Sequence, residues 1–459
     1  MRNRGYQTEV IRQVAGLFAM NQRRVLVQMP TGAGKTIVAV QLVDRAAFRR
    51  TLYVVPTEEI FWQTSEKLDK LGIRHSHLLS GTFPDLTDTQ VLLAMSPTLN
   101  MRRDTAMWGG WKPDLLFIDE MHRLYDQHAK LLKRFPNASV IGMTATPVRL
   151  DGKELHHLCP ALVIGPSIKD LQNQGFLVPC RTYVEEVPDL SHVKINRREF
   201  DRDQVEQAYL GSGVLQIVPK RWKSLASGRR TITFCTGIET SQRLVAAYEA
   251  EGIRAMHVDG GTPKDEREEA LQLLRDHKID VLSNVGLFIE GLDLVEVECV
   301  TLCRPTQSLA YHMQSIGRGL RISPHSGKKD LLVIDHSGNT VRHGLVEADR
   351  DWRSEGRALP QQLKRCRACG VVKVGPRCLH CGWQDKERRV NKTWKVRDEK
   401  RRSLRTPPRP CPEWARDALS LWLRVERQRN AQGLPLPDAD LGREGFTESV
   451  VRRSLRSGR

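Results

Sequence analysis

A lysine and a threonine close the glycine-containing stretch Met29-Pro-Thr-Gly-Ala-Gly-Lys-Thr36. The stretch follows an apolar run and precedes a helical pattern, which is the strand–turn–helix setting of a phosphate-binding loop. Gly32 and Gly34 allow the backbone N–H groups to turn toward phosphate oxygens, and the following helix N-terminus adds its dipole. Lys35 is therefore predicted to reach the β- and γ-phosphates of ATP, and Thr36 to offer its hydroxyl to Mg²⁺. The predicted nucleotide contacts of this loop are Thr31, Gly32, Ala33, Gly34, Lys35 and Thr36.

Two adjacent carboxylates, Asp119 and Glu120, follow the apolar run Leu115-Leu-Phe-Ile118. An acid at the end of a strand beside a phosphate loop is expected to hold Mg²⁺ through water, which is the role predicted for Asp119. Glu120 is then available to polarise the attacking water as a general base. Together with Lys35, this pair predicts an enzyme that hydrolyses ATP.

Short apolar runs alternate with helical patterns in two separate parts of the chain. This alternation predicts an α/β protein with two parallel sheets in tandem, each covered by helices on both faces. The predicted strands begin at Val25, Thr51, Val91, Leu115 and Val140, and then at Thr231, Ala255, Asp280, Cys299 and Leu331. The pattern weakens between about 150 and 215. We predict domains at 1–165 and 216–345, a connecting segment at 166–215, a cysteine module at 362–385 and a basic, partly helical tail at 386–459.

Further motifs occur in a fixed order along residues 1–340. Asp119-Glu120-Met121-His122 resembles motif II of the superfamily 2 helicases in its DExH form, and the order of the remaining motifs is similar to that family. They are Gly5-Tyr6-Gln7, Val54-Val-Pro-Thr57, Ser96-Pro-Thr98, Met143-Thr-Ala-Thr-Pro147, Thr233-Phe-Cys-Thr236, Glu290-Gly-Leu-Asp293 and Gln314-Ser-Ile-Gly-Arg-Gly-Leu-Arg321. The closest resemblance is to bacterial and phage helicases of the DNA-repair type.

The resemblance implies two RecA-like domains that each supply half of one ATP site. Arg318 and Arg321, with Gln314, are expected to act across the cleft, the arginines as arginine fingers, because phosphoryl transfer needs positive charge on the γ-phosphate. The other implied roles are adenine reading by Tyr6 and Gln7, nucleotide sensing by Gly291 and Asp293, nucleic-acid contact by Thr57, Thr98 and Thr236, and coupling of the two sites by Thr144 and Thr146.

Four cysteines stand in two CxxC pairs separated by eight residues: Cys366, Cys369, Cys378 and Cys381. Four thiolates at this spacing suit tetrahedral Zn²⁺ in a closed structural site. A module of about 24 residues cannot bury a sufficient core, so metal binding is expected to supply its folding energy. His380 is a competing ligand, and disulfide exchange is the weaker alternative for a cytosolic protein.

The surroundings of the cysteine pairs are basic and carry one aromatic residue, so the module suits either a nucleic-acid strand or a protein partner. These residues are Lys364, Arg365, Arg367, Lys373, Arg377 and Trp383. The remaining cysteines have no metal-like spacing, and those within apolar runs are predicted to be buried thiols: Cys159, Cys180, Cys235, Cys299, Cys303 and Cys411.

The net charge of +18 is concentrated near the end of the chain, where residues 362–459 carry 25 Lys/Arg and 11 Asp/Glu. A basic segment attracts phosphate backbones, although a solvated tail without a partner is the competing interpretation. Within this tail, 386–410 is expected to be a linker and Trp414–Gln428 a short helix. No apolar run approaches the roughly 20 residues of a membrane span, and the first residues lack a signal peptide. We therefore expect a cytoplasmic protein without a membrane partner.

These observations predict a nucleic-acid-stimulated ATPase with the cofactors ATP, Mg²⁺ and Zn²⁺, most simply a DNA helicase that moves along a strand and unwinds a duplex. A duplex-DNA translocase without strand separation and an RNA helicase are the alternatives. A nucleic-acid-binding scaffold with an inactive ATP site is disfavoured by the intact Lys35, Asp119, Glu120 and Arg318. A fused nuclease is disfavoured because no other cluster of catalytic carboxylates is present.

Overall fold

The computed structural model describes residues 4–45, 50–81, 84–87, 89–101, 111–123, 125–148, 155–196, 198–288, 294–353, 363–378 and 380–384. The predictions for Gly291, Asp293, Cys411 and the tail 386–459 lie outside the described residues. None of the described helices is long and apolar enough to cross a membrane.

The first sheet contains seven parallel strands in the order β3-β4-β2-β5-β6-β1-β7. Its strands are β1 (Arg24–Gln28), β2 (Thr51–Val55), β3 (His75–Leu78), β4 (Val91–Met95), β5 (Leu115–Ile118), β6 (Ser139–Thr144) and β7 (Ala161–Ile164). The helices of this part are α1 (Gly5–Ala19), α2 (Lys35–Arg45), α3 (Glu58–Lys70), α4 (Ser96–Met101), α5 (Tyr125–Arg134) and α6 (Ile168–Asn173), with a 3-10 turn at Leu155–His157.

The second sheet contains six parallel strands in the order β12-β13-β11-β14-β15-β8. They are β8 (Cys180–Val184), β11 (Thr231–Cys235), β12 (Ala255–Val258), β13 (Val281–Val285), β14 (Cys299–Cys303) and β15 (Leu331–Asp335). The helices are α7 (Arg202–Gly211), α8 (Val214–Ala226), α9 (Ile238–Ala250), α10 (Lys264–Arg275), α11 (Leu309–Gly317) and α12 (Asn339–His343). Two antiparallel pairs complete the described chain: β9 (Ile195–Asn196) with β10 (Glu199–Phe200), and β16 (Leu363–Arg365) with β17 (Val372–Val374).

The central strands β2, β5 and β11 are buried at every position, which explains their continuous apolar runs. Parallel strands place their carboxyl ends at one edge of a sheet, and ligands of open α/β sheets bind at that edge. In the first sheet the phosphate loop follows β1 and the two carboxylates follow β5, so both reach the same edge. The predicted α/β class with two parallel sheets is confirmed.

Some elements were not predicted. Helix α1 covers the segment in which only a Gln-containing motif was recognised, and it buries Val10, Ile11 and Val14 on one face. Strand β8 lies inside the predicted connecting segment 166–215 and forms the edge of the second sheet, where Cys180 pairs with Leu331. The domain boundaries themselves stay predictions.

Candidate active site between the two sheets

The phosphate loop joins β1 to α2 in the conformation that its glycines allow. Gly32 has φ 84° and Gly34 has φ 77°, a left-handed backbone conformation that residues with a side chain rarely adopt. A Cβ added at Gly34 would lie 2.6 Å from Gln7 Nε2. Both the backbone conformation and the packing therefore require glycine at this position.

Tyr6 and Gln7 lie against the phosphate loop. The Tyr6 hydroxyl and Gln7 Nε2 both donate to the carbonyl oxygen of Ala33, at 3.0 and 3.2 Å, and Gln7 Oε1 accepts from the backbone N–H of Arg4. Each end of the Gln7 amide is thus used within the protein. Adenine reading by this pair stays a prediction, while its contact with the loop is a structural fact.

Glu120 lies between a lysine and a histidine. Lys35 Nζ is 3.4 Å from Glu120 Oε1, and His122 Nδ1 is 3.4 Å from Glu120 Oε2. Burial raises the pKa of Glu120, whereas the charges of Lys35 and His122 lower this pKa. Arg318 adds to this effect, and the net result is a Glu120 pKa below its ordinary value. The carboxylate is therefore ionised near neutral pH, as a general base must be.

The same histidine connects this carboxylate to the next strand. His122 Nδ1 lies 2.8 Å from Thr144 Oγ1, which also accepts from the backbone N–H of Thr146 at 3.1 Å. Both threonines are fully buried at the end of β6. A continuous chain of polar contacts therefore runs from Glu120 to the predicted coupling residues, whose role in coupling stays a prediction.

Asp119 immediately follows β5 and is almost fully buried. Its Oδ1 accepts from the backbone N–H of Glu120 at 2.9 Å, and Glu120 has the unusual φ of 46°. Such a conformation is costly for a residue with a side chain and is concentrated at functional sites. Carboxylate and hydroxyl oxygens are ligands that suit Mg²⁺, so Asp119 and Thr36 fit the metal predicted for them.

The helix α11 of the second sheet brings its end to the phosphate loop. A Cβ added at Gly317 would lie 2.8 Å from Thr31 Cβ, and one added at Gly32 would lie 3.5 Å from Arg321 Cγ. Arg318 is close enough to lower the pKa of Glu120, as described above. The residues predicted to act across the cleft are therefore brought beside the predicted catalytic residues of the first sheet.

Gln314 lies on α11 and is buried, and its Nε2 has no hydrogen-bond partner among the described residues. A buried amide without a partner calls for an explanation, and a bound ligand is one of the groups that could supply the missing acceptor. The catalytic role of Gln314 stays a prediction that this observation supports.

The three threonines predicted to contact nucleic acid all follow the carboxyl end of a strand. Thr57 caps α3, because its hydroxyl accepts from Ile60 N at 3.5 Å, and Thr98 is buried on α4. The Thr236 hydroxyl donates to the Cys303 carbonyl oxygen at 3.4 Å. The hydroxyls of Thr57 and Thr236 thus make hydrogen bonds within the protein, and Thr98 is buried. The contact of these three residues with nucleic acid stays a prediction.

The connecting segment contributes residues to the site that were not predicted. Leu177 pairs with Arg321 in an antiparallel bridge, and its Cδ2 would lie 2.8 Å from a Cβ at Gly32. Phe176 stacks edge-on against Tyr6, with ring centroids 5.5 Å apart, and lies under the guanidinium of Arg4. No spacing or motif marks Phe176 and Leu177, because their contacts join segments far apart in the sequence.

The four cysteines of the paired CxxC motifs come together. Their sulfur atoms all lie within 4.8 Å of one another, with Cys366 and Cys381 at 3.6 Å and Cys369 and Cys378 at 3.8 Å. Burial opposes ionisation of Cys366, but the backbone N–H groups of Cys369 and Ala368 lower its pKa to about 7. Four converging sulfurs of this kind fit a tetrahedral Zn²⁺.

The cysteine module packs against the edge strand β8. Arg365 contacts the Val184 carbonyl oxygen and lies 3.3 Å from the buried Glu185 carboxylate, which also accepts from Arg221 of α8 at 2.7 Å. His380 Nε2 lies 3.2 Å from Arg181 Nη1 and is not part of the sulfur cluster. The competing proposal of His380 as a ligand therefore receives no support. Among the scattered thiols, Cys159, Cys235, Cys299 and Cys303 are buried and Cys180 is partly buried.

Two RecA-like sheets with a phosphate loop, paired carboxylates and arginines at their junction define a nucleotide-hydrolysing helicase-type protein. The family described as "Type III restriction enzyme, res subunit" matches residues 1–149, and the "Helicase conserved C-terminal domain" matches residues 214–323. Together with the motif order, these matches show that the chain belongs to superfamily 2 of the helicases.

Relatives are distant but cover most of this chain. A 51.5 kDa protein of a Lactococcus phage is 26% identical over 76% of this chain and 75% of its own length. IRC3 of Saccharomyces cerevisiae is 27% identical over 73% of this chain but only 51% of its own length, so the chain spans about half of that relative. The DNA 3'-5' translocase XPB2 of Sulfurisphaera tokodaii is 25% identical over 76% and 84% of the two chains.

The fold is also that of a solved restriction enzyme. The ATP-dependent Type ISP restriction-modification enzyme LlaBIII bound to DNA matches with a TM-score of 0.56 and 17% identity, over 73% of this chain and 28% of the enzyme. At this identity the similarity concerns the fold alone.

Proposed function

We propose that this protein hydrolyses ATP and uses the free energy to move along DNA and separate its strands. The observation that carries the proposal is the packing of the end of α11 against the phosphate loop, with Gly317 beside Thr31 and the charge of Arg318 lowering the pKa of Glu120. Because the two halves of the site belong to different sheets, ATP binding favours a closed cleft and hydrolysis allows it to open. Such a cycle is what directional movement along a strand requires.

Each residue has a defined task in the proposed reaction. Lys35 and the N-terminus of α2 bind the β- and γ-phosphates, and Glu120 orients the attacking water and accepts its proton. Thr36 and Asp119 would hold Mg²⁺, which would supply positive charge beside the phosphates. Arg318 stabilises the charge that develops on the γ-phosphate, assisted by Arg321.

The strand itself is proposed to lie across the carboxyl ends of β2, β4 and β11, where Thr57, Thr98 and Thr236 contact its phosphates. Backbone contacts carry no sequence information, which suits a protein that tracks along any sequence. Zn²⁺ is proposed to hold the cysteine module in a structural role. DNA is favoured because relatives named for activities on DNA, such as the XPB2 translocase, match most of this chain.

A second candidate is a translocase that moves along duplex DNA without separating strands, since the XPB2 relative is named a DNA translocase and not a helicase. The two candidates differ in their products. A motor that unwinds releases a labelled strand from a forked duplex, whereas a duplex translocase displaces the third strand of a triplex and leaves the duplex intact.

The test compares ATP hydrolysis with single-stranded DNA, duplex DNA, forked DNA and RNA at one salt concentration, because nucleic-acid affinity depends steeply on salt. Both displacement reactions are then measured with ATP. The proposal predicts stimulation by DNA and release of the forked strand. Stimulation by RNA alone would contradict the assignment to DNA, and triplex displacement alone would favour the second candidate.

A further inference from the structure

A short hairpin lies in the predicted connecting segment 166–215, after β8 and before α7. Its strands β9 and β10 pair Asn196 with Glu199, so only two residues separate the paired positions, and the second of these is Arg198. Arg198 has φ 66°. Two-residue hairpin turns favour Asn and Gly because their residues need positive φ values. Local folding preferences therefore do not explain why an arginine occupies this position.

The hairpin is held firmly at its base. Both oxygens of the Glu199 carboxylate accept hydrogen bonds, from the Thr306 hydroxyl at 2.6 Å and from Gln307 N at 2.9 Å. The guanidinium of Arg342 lies over the Phe200 ring at 4.9 Å. A rigid base means that charges at the tip keep a defined position, which lowers the entropy lost when they bind a ligand.

The anchor of the hairpin places it at the functional edge of the second sheet. Thr306 lies in the loop that follows β14 and precedes α11, the helix that leads to Arg318. The Thr236 hydroxyl donates to Cys303 at the end of β14, so Thr236 is at the same edge. The hairpin is thus connected both to the arginine-finger helix and to the edge proposed to contact nucleic acid.

The outward side of the hairpin is basic. Lys194, Arg198 and Arg202 are exposed, and the Ile195 side chain is 56% exposed beside them. Two nearby acids are hydrogen-bonded within the protein, Glu199 to the Thr306 loop and Asp201 to the Gln204 backbone N–H, whereas Asp203 at the start of α7 is exposed. Exposed cations on a rigid support attract a polyanion.

We propose that Lys194 and Arg198, on the hairpin formed by β9 and β10, bind the phosphate backbone of the nucleic-acid strand. The inference rests on the proposed function, since it needs a protein that binds nucleic acid. It assigns a nucleic-acid contact to the predicted connecting segment 166–215, outside all of the motifs recognised in the sequence. The contact is to phosphate and does not discriminate between bases.

The variant Arg198→Gly separates binding from folding. Glycine relieves the positive φ while it removes the charge, so the melting temperature is expected to stay or to rise by about 2 °C. Lys194→Gln combined with Arg198→Gly is expected to weaken binding of a fluorescent single-stranded DNA about tenfold at low salt. The slope of log K against log salt should become shallower by about 1.4, since each lost phosphate contact contributes roughly 0.7 for a single strand.

The matched control removes two exposed positive charges from the opposite edge of the same sheet, with Lys278→Gln and Lys329→Gln just before β13 and β15. ATP turnover without nucleic acid should be unchanged in both double variants. If the hairpin variant binds DNA with the affinity and salt slope of the control, the hairpin proposal alone is overturned. If the wild type binds neither DNA nor RNA, the proposed function fails as well.

Discussion

Lys35 Nζ lies 3.4 Å from Glu120 Oε1, so the cation of the phosphate loop directly contacts the predicted base, and only 13% and 9% of the two side chains are exposed. In the proposed reaction, the γ-phosphate of ATP would compete with Glu120 for this lysine. The pair would then link binding of phosphate to release of the carboxylate predicted to activate water.

The first prediction separates the two partners of this pair. Glu120→Gln removes the base but keeps the shape of the site, so ATP binding is retained while turnover falls at least about a hundredfold. Lys35→Ala removes the main phosphate cation, so binding is lost together with turnover. Titration with a fluorescent ATP analogue and phosphate release measure the two properties. Equal loss of ATP affinity in both variants would be inconsistent with these roles.

The second prediction concerns the contact across the cleft. Arg318→Ala should lower the turnover rate about a thousandfold, while the KM for ATP changes little, because the charge is needed mainly in the transition state. Arg318→Lys keeps a charge without the guanidinium and should recover part of the rate. Steady-state kinetics of both variants test this role. A large rise in KM at normal turnover would instead indicate ordinary substrate binding.

A third prediction follows from a buried lysine beside the predicted arginine fingers. Lys328 Nζ donates to the carbonyl oxygens of Gly319 at 2.6 Å and Val295 at 3.1 Å, and burial lowers its pKa to about 7. Between pH 7 and the unfolded value of 10.5, the folded state binds fewer protons than the unfolded state. The free energy of unfolding should therefore rise with pH by about 1.4 kcal/mol per unit in this window.

Lys328→Met removes this titration, so its stability relative to the wild type should decline as pH rises from 7 to 9. Urea unfolding at several pH values measures the difference. Lys329→Met, which removes an exposed neighbouring charge, provides the control and should follow the wild type. A wild-type-minus-Lys328→Met difference that does not change with pH would refute the predicted titration.

The fourth prediction concerns the cysteine module. The protein should contain about one zinc per chain, and Cys366→Ser should lower this content and make the segment 363–384 sensitive to proteases, because the metal supplies its folding energy. Cys180→Ser, outside the cluster, is the control and should retain the metal. Metal analysis and limited proteolysis provide both measurements. A zinc-free protein with a protease-resistant module would contradict the assignment.

The contacts of this module with β8 predict that Glu185→Gln loosens it without loss of the metal ligands. Glu185 is the shared acceptor of Arg365 and Arg221, so the neutral amide weakens both ion pairs. Faster proteolysis at unchanged zinc content is the expected result. Contacts within the protein also occupy some of the basic residues of the module, which are therefore not all available for nucleic acid. Arg365 is paired with Glu185, and Lys373 donates to the Pro376 carbonyl oxygen.

The parts of the site that follow a strand were predictable from the sequence. Residues such as Lys35 and Asp119 stand directly after apolar runs, and the topology of a parallel sheet brings such positions to one edge. The cysteine cluster could be predicted equally well, because the CxxC spacing fixes the local geometry of each cysteine pair. The α/β class followed from the strand–helix alternation in the same way.

Other features depend on contacts between distant segments and carry no local pattern. Leu177 packs on Gly32, and Phe176 on Tyr6, across more than a hundred residues of sequence. The edge strand β8 was missed because it pairs with β15, about 150 residues later, and its own five residues include a polar Arg and Thr. The hydrogen bonds that Gln7 makes within the protein could not be predicted, because the motif specifies only the type of this residue.

The most direct test of the central claim is the rate of phosphate release by the purified protein before and after single-stranded or forked DNA is added. The account predicts a clear increase with DNA in the wild type and turnover at least about a hundredfold lower in Lys35→Ala, Glu120→Gln and Arg318→Ala under either condition. A rate that does not respond to nucleic acid, or that persists in all three variants, would contradict it.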